Sequence, residues 1–235
     1  MRPVIRGNHP TDGQGNDIVF NHYSKSRGPL IGRIGEYCSY CEMHLDSSLA
    51  VEHVKPKKHN PEEELHWDNF LLSCTNCNST KGQEDVDLNE YLWPDTDNTF
   101  YALQYEEGGL VSPSDRLNGN PALKQKAQDT ITLTGLDKQP VNAPAASDRR
   151  WINRREAWDI AVESKSDLVN NDTPEMRRQI IRSATARGYW SIWMTVFEDD
   201  ADMRRRLIEG FPGTCNACFD ANNGYAPVSR EGGQC

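Results

Sequence analysis

CSYC at residues 38–41 and CTNC at residues 74–77 are two Cys-x-x-Cys pairs, and the segment they enclose predicts the fold most directly. Each Cys-x-x-Cys pair presents two sulfurs to one ion, and two such pairs complete a closed, tetrahedral four-thiolate zinc site. The chain has seven cysteines, an odd number, and no export signal, which favours metal-bound thiolates over disulfides. The sequence therefore predicts one structural Zn2+ ion per chain, with the ligands Cys38, Cys41, Cys74 and Cys77.

Residues 49–82 predict a strand, a loop and a helix in that order. LAVEHV at residues 49–54 is β-prone and is stopped by Pro56, and the acidic NPEEEL that follows is typical of an exposed loop. An apolar group comes next, from Trp67 to Leu72. After Cys74 the polar run TNCNSTKG suits a short helix that Gly82 closes.

VEHVKP at residues 51–56 and Trp67-Asp68-Asn69-Phe70 lie between the cysteine pairs, and NSTKG at residues 78–82 follows the last cysteine directly. Together these segments resemble the HNH, or ββα-metal, nuclease family. The resemblance implies a DNA endonuclease in which His53 is the general base and Asn69 orients His53 through the loop backbone. It implies that Glu52 and Asn78 are ligands of one catalytic divalent ion, Mg2+ or Mn2+. It also assigns phosphate contacts to Lys81, Lys57 and Lys55.

These residue types suit phosphodiester hydrolysis. A neutral imidazole with a pKa near ~6.5 takes a proton from water at cellular pH. A hard cation held by one carboxylate and one amide oxygen keeps positions open for water and phosphate oxygens. Strand alternation sends Glu52 and His53 to opposite faces, so we expect a bend at residues 54–56 that lets both serve one site.

The string YCSYCE, the EHVKPK segment and the helical tail resemble the HNH subunits of bacterial anti-phage systems of the Septu kind. That resemblance implies an ABC-type ATPase as partner. The net charge of -9 has the wrong sign for a free-standing DNA binder, and a nuclease that relies on a partner accounts for it. Two alternatives stay open: a zinc-stabilised nucleic-acid or protein binding module without cleavage, and an RNA-directed nuclease of the same type.

The predicted fold class is α+β: a ββα-metal core with a four-cysteine zinc site, then a hairpin and a mainly helical C-terminal region. Asp17 is expected to cap an N-terminal helix that Pro29 breaks. Gly108 and Gly109 are expected to form the turn of a hairpin. Helices are predicted over residues 122–136, 148–168 and 174–197, with a linker, QPVNAPAAS, at 139–147. The corresponding regions are 1–29 (N-terminal arm and helix), 30–95 (nuclease domain), 96–120 (hairpin and connector) and 121–235 (helical region).

Three further features bear on function. Arginines from Arg149 onward are offset by acidic residues, which favours a solvated or partner-facing helix over a DNA guide. Cys215, Cys218 and Cys235 have no histidine nearby to complete a metal site and are interpreted as buried thiols. No stretch reaches the apolar length of a membrane span, and we expect a soluble, cytoplasmic protein with no membrane partner.

Overall fold

The computed structural model describes residues 1–139 and 148–235, and its centre is the predicted ββα unit. Strand β1 (Ala50–His53) pairs antiparallel with β2 (Phe70–Ser73), and His53 lies opposite Phe70. Helix α2 (Thr75–Lys81) begins directly after Cys74. It ends at Gly82, which has φ 67° and donates its backbone N–H to the backbone oxygen of Asn78. All four residues of β2 are buried, which explains the apolar run Phe70-Leu71-Leu72.

The other elements surround this unit. Within the described residues the other helices are α1 (Arg27–Ile34), α3 (Thr99–Ala102), α4 (Pro121–Thr134), α5 (Arg150–Asn170), α6 (Pro174–Arg187), α7 (Trp190–Val196) and α8 (Ala201–Gly210), and the other strands form two antiparallel hairpins, β3 (Leu103–Glu106) with β4 (Leu110–Pro113) and β5 (Phe219–Asp220) with β6 (Ala226–Pro227). Helices α2 and α4 pack together, as do α5 and α7.

The predicted helix after Asp17 is wrong. Asp12 Oδ1 accepts from the backbone N–H groups of Gln14 and Asn16, which holds residues 12–16 in a turn, and Asp17 itself pairs with Thr11 in an isolated β-bridge. Helical structure begins only with a 3-10 turn at Tyr23–Ser26 and continues into α1. Pro29 is accommodated there, because the first-turn N–H groups of a helix lack an intrahelical acceptor.

The N-terminal residues are not a free arm. Met1 and Val4 are buried, the backbone N–H of Val4 donates to Pro94, and that of Cys215 donates to Pro3. One continuous hydrophobic cluster includes Met1, the zinc-site cysteines and the tryptophans of α7. The division into four regions stays a prediction, although α1 runs across the boundary after residue 29.

The C-terminal region is helical, with three departures from prediction. The helix predicted over 174–197 is broken at Gly188, where φ is 79° and where Tyr189 adopts the left-handed conformation. Helix α8 and the hairpin of β5 and β6 were not predicted. Arg150 and Arg154 of α5 are buried, so the predicted solvated face is wrong at these two positions.

The hairpin predicted around Gly108 and Gly109 is confirmed as β3 and β4, but residues 99–102 before it are helical. The helices predicted over 122–136 and 148–168 are confirmed as α4 and α5. Of the predicted linker, residues 140–147 lie outside the described residues. Within residues 1–139 and 148–235, no helix combines the length and the apolar character needed to span a bilayer.

Candidate active site and metal centre

The four predicted zinc ligands come together. The sulfurs of Cys38, Cys41, Cys74 and Cys77 lie within 4.8 Å of one another and all four residues are buried. The Sγ atoms of Cys41 and Cys74 are 3.7 Å apart. A tetrahedral zinc ion with Zn–S distances of about 2.3 Å requires sulfurs about 3.8 Å apart, so the cluster fits Zn2+.

Local structure explains how the two pairs are placed. The backbone N–H of Cys38 donates to Met43 and that of Glu42 to Cys38, which curls the first pair into a turn. Cys74 caps the N-terminus of α2, and its Sγ accepts from the backbone N–H of Cys77. Hydrogen bonds with Cys38 and Cys41 lower the pKa of Cys74, whereas hydrogen bonds with Cys38 and Cys74 raise that of Cys41.

His53 ends strand β1, and one of its ring nitrogens is fixed by the loop. Its Nε2 lies 3.0 Å from the backbone oxygen of Glu64. A carbonyl oxygen only accepts, so Nε2 carries the proton and donates, and Nδ1 keeps its lone pair. Burial lowers the pKa of His53 below its usual value, which keeps the ring neutral near pH 7. The side chain therefore has the form of a proton acceptor.

Asn69 holds the loop that carries this carbonyl. It is buried, its Oδ1 accepts from the backbone N–H of Lys55 at 2.7 Å, and its Nδ2 donates to the oxygens of Lys55 and Glu63. The chain bends at Val54 and Lys55, as the alternation of Glu52 and His53 predicts. Asn69 thus fixes both ends of the loop from residue 55 to residue 63, next to Glu64.

Glu52, His53 and Asn78 line one cavity of about 180 Å³, together with Lys57 and Tyr23. Glu52 is 3 % exposed, and burial raises the pKa of its carboxyl while the Lys81 ammonium 3.0 Å away lowers it. Carboxylate and amide oxygens are ligands that Mg2+ and Mn2+ accept. The donor set fits such an ion, which has to share Glu52 with Lys81.

The predicted phosphate contact of Lys81 is contradicted. Its side chain is 2 % exposed, and its Nζ binds Glu52 and donates to the backbone oxygen of His53 at 2.8 Å. An ammonium buried and paired in this way is not available to a phosphate. Lys55 and Lys57 remain about 40 % exposed and are paired with Glu63 and Glu64 respectively, and Lys57 lines the cavity.

Tyr23 is a cavity residue that the sequence did not reveal. Its ring packs edge-on to the His53 ring with centroids 5.0 Å apart, and Lys57 Nζ lies 4.3 Å from the Tyr23 centroid. The residue lies 30 positions from His53 in a 3-10 turn with no motif of its own, so no local signal marks it.

The other candidate residues lie outside the site. His59 and His66 are exposed, as predicted, and His44 lies outside the four-sulfur cluster. Cys215, Cys218 and Cys235 are buried thiols, as predicted, and do not form a metal-ligand group in the part of the chain that the structure describes.

Residues 38–84 match the family model described as HNH endonuclease, which covers about a fifth of the chain. This segment, which is similar to that family, is called the HNH domain below. No curated protein matches the chain. The HNH domain contains both cysteine pairs, His53, Asn69 and the cavity residues Glu52 and Asn78, whereas Tyr23 reaches the cavity from outside it.

Proposed function

We propose that this protein is a metal-dependent DNA endonuclease that hydrolyses phosphodiester bonds. The observation that carries the proposal is the state of His53: its Nε2 donates to Glu64, and its free Nδ1 belongs to a ring that shares a cavity with Glu52 and Asn78. A neutral imidazole held by a backbone carbonyl is suited to removing a proton from water.

In the proposed reaction, His53 Nδ1 takes a proton from a water molecule as the water oxygen attacks phosphorus. The bond from phosphorus to the leaving sugar oxygen breaks, and that oxygen acquires a proton from solvent. Glu52 and Asn78 would hold a divalent cation, which supplies charge stabilisation for the phosphate and the leaving oxygen. Lys55 and Lys57 offer ammonium groups to the phosphates beside the cleaved bond.

Plasmid cleavage with a matched pair of histidine variants tests the proposal. Supercoiled plasmid is incubated with purified protein and Mg2+ or Mn2+, and His53→Ala is compared with His59→Ala. Both histidines lie between β1 and β2 or at the end of β1, but His59 is exposed and does not line the cavity, whereas His53 does. We expect a loss of at least about 100-fold for His53→Ala, as for removal of a general base, and wild-type cleavage for His59→Ala. Unchanged cleavage by His53→Ala would contradict the mechanism.

Two alternative functions are kept. A zinc-stabilised binding module has no use for a histidine whose tautomer is fixed beside a carboxylate and an amide, so the site geometry favours catalysis. An RNA-directed nuclease would use the same groups. Parallel cleavage assays on DNA and RNA strands of the same sequence separate these possibilities. A DNA endonuclease cuts the DNA strand, an RNA-directed nuclease cuts the RNA strand, and a binding module cuts neither.

We further propose that the protein is the effector nuclease of a bacterial anti-phage defence complex and works with an ABC-type ATPase. The net charge of -9 supports this, because an acidic chain gains little from long-range attraction to DNA. The test is co-purification with an ATPase encoded beside it, and cleavage with and without that ATPase. Full cleavage by the chain alone, with no ATPase bound, would overturn the partner proposal.

A further inference from the structure

The second cysteine pair is joined to helix α5 by a buried arginine. Arg150, the first residue of α5, is 2 % exposed, and its Nη1 lies 3.1 Å from Cys77 Sγ. The same nitrogen donates to the backbone oxygen of Thr134, at the end of α4, at 2.7 Å. The guanidinium thus contacts a sulfur of the zinc cluster from outside the HNH domain.

Neighbouring residues fix the position of this guanidinium. Asp148 accepts from its Nε at 2.9 Å and from its Nη2 at 2.7 Å, and it also accepts from Asn76 Nδ2 within the cysteine pair at 3.4 Å. Gly135 has φ 66°, and a Cβ there would lie 3.1 Å from Arg150 Nη2. The absence of a side chain at residue 135 therefore makes room for the arginine.

Charge explains why an arginine suits this position. Four thiolates around one Zn2+ leave a net charge of -2 in a buried place, where an unbalanced charge is costly. Arginine stays protonated when buried, and hydrogen bonds between charged groups are stronger than neutral ones. We propose that Arg150 is an outer-sphere partner of the zinc site that holds Cys77 in its ligand form and slows loss of the ion. This proposal does not depend on the nuclease activity.

Zinc release from the full-length, zinc-loaded protein tests the proposal. A chromogenic chelator in excess takes up the ion as it leaves, and the release rate is compared between wild type, Arg150→Lys and Arg150→Met. Loss of an outer-sphere partner typically weakens metal binding about 10- to 100-fold. We expect release from Arg150→Met to be faster by a factor in this range, and Arg150→Lys to fall between it and wild type.

Arg154→Met is the matched control. Arg154 lies one turn later in α5 and is equally buried, and among the residues that the structure describes its hydrogen bonds go to the backbone oxygens of Gly109 and Leu136. We expect this variant to melt at a lower temperature than wild type but to release zinc at the wild-type rate while folded. Wild-type release from Arg150→Met, or equal acceleration by Arg154→Met, would overturn the proposal.

Cobalt substitution covers the case in which Arg150→Met does not fold. The thiolate-to-cobalt absorption band reports the charge on the sulfur ligands directly. A shift of this band in Arg150→Lys relative to wild type supports the hydrogen bond to Cys77. An identical band in both proteins overturns it, whatever the stability of the variant.

Discussion

At the scale of single residues, the state of His53 has a measurable pH dependence. Burial first, and then the charges of Lys57 and Lys81, lower the pKa of His53 below its usual 6.5, against the raising effect of the Glu64 carbonyl. In the proposed mechanism the neutral ring is the proton acceptor, so we expect the cleavage rate to fall as the pH drops through that lowered pKa. The fall approaches about tenfold per pH unit.

The measurement is kcat/KM for cleavage against pH at saturating Mg2+. We expect an acid limb whose apparent pKa lies below 6.5 in wild type. The residual activity of His53→Ala should lack this limb, and an acid limb that survives the substitution belongs to another group.

Lys81 is a second residue whose environment predicts an outcome. Its ammonium is the buried partner of the Glu52 carboxylate, and removing one member of such a pair leaves an uncompensated charge. We expect Lys81→Met to lower the free energy of unfolding by about 3–5 kcal/mol. Urea denaturation of the zinc-loaded protein measures the loss.

The double variant Glu52→Gln/Lys81→Met is the control for this prediction. It removes both charges, so it should recover a large part of the stability that Lys81→Met loses. A double variant no more stable than the single one would show that the lysine acts through packing instead of charge.

Most residues of the candidate site could be predicted from the sequence, but the contacts around them could not. Glu52, His53, Asn69 and Asn78 stand at spacings that the HNH resemblance assigns, and the structure brings them to one cavity and its loop. Lys81 stands at an equally regular spacing, yet its phosphate role fails because burial and pairing depend on the packed α2. Tyr23 and Arg150 come from distant segments, which no local pattern connects to the site.

At the scale of elements, the break between α6 and α7 rests on a glycine. Gly188 has φ 79° and ψ -150°, and a Cβ there would lie 2.4 Å from the backbone oxygen of Glu42. Only glycine adopts this backbone region readily, and the strain alone costs about 1–3 kcal/mol. We expect Gly188→Ala to destabilise the protein by at least that amount, measured by urea denaturation.

Gly224→Ala is the comparison for Gly188→Ala. Gly224 also has a positive φ, 58°, but a Cβ there meets nothing within 4 Å. Its substitution should cost about 1–2 kcal/mol, the penalty of the left-handed backbone alone. If both variants lost the same stability, the contact with Glu42 would have no part in positioning α7.

Elements whose signals are local were predicted well. The strand before Pro56, the helix closed by Gly82 and the hairpin at Gly108 each contain their own start or stop residues. The break at Gly188 was missed because apolar residues continue at helical spacing on both sides of it. What separates α6 from α7 is the contact of Gly188 with residues 42–44, almost 150 positions away in the chain.

At the scale of the whole molecule, we expect the zinc site and the C-terminal helices to unfold together. The four cysteines belong to the same hydrophobic cluster as Trp190 and Trp193. Zinc at a thousandfold its dissociation constant stabilises a folded state by about 4 kcal/mol. We expect chelation to lower the melting temperature in one transition, followed by far-UV circular dichroism, to which α4 to α8 contribute most.

The control for this prediction replaces ortho-phenanthroline by its non-chelating meta isomer, which should leave the melting temperature unchanged. Two separate transitions after chelation, the later one at the original temperature, would mean that the C-terminal helices form a unit independent of the zinc site. The sequence could not anticipate this coupling, because it predicted an N-terminal arm and a separate helical region.

The acidic loop described at the active site has a consequence for how DNA binding responds to salt. Lys55 and Lys57 already carry counterions in the form of Glu63 and Glu64 of the same chain. A phosphate that reaches either lysine displaces a tethered carboxylate, and the freed carboxylate attracts a mobile cation, which offsets one of the cations released from the DNA. The carboxylates displaced in this way stay near the phosphates and repel them. The slope of log affinity against log salt concentration will therefore undercount the phosphates that this protein touches.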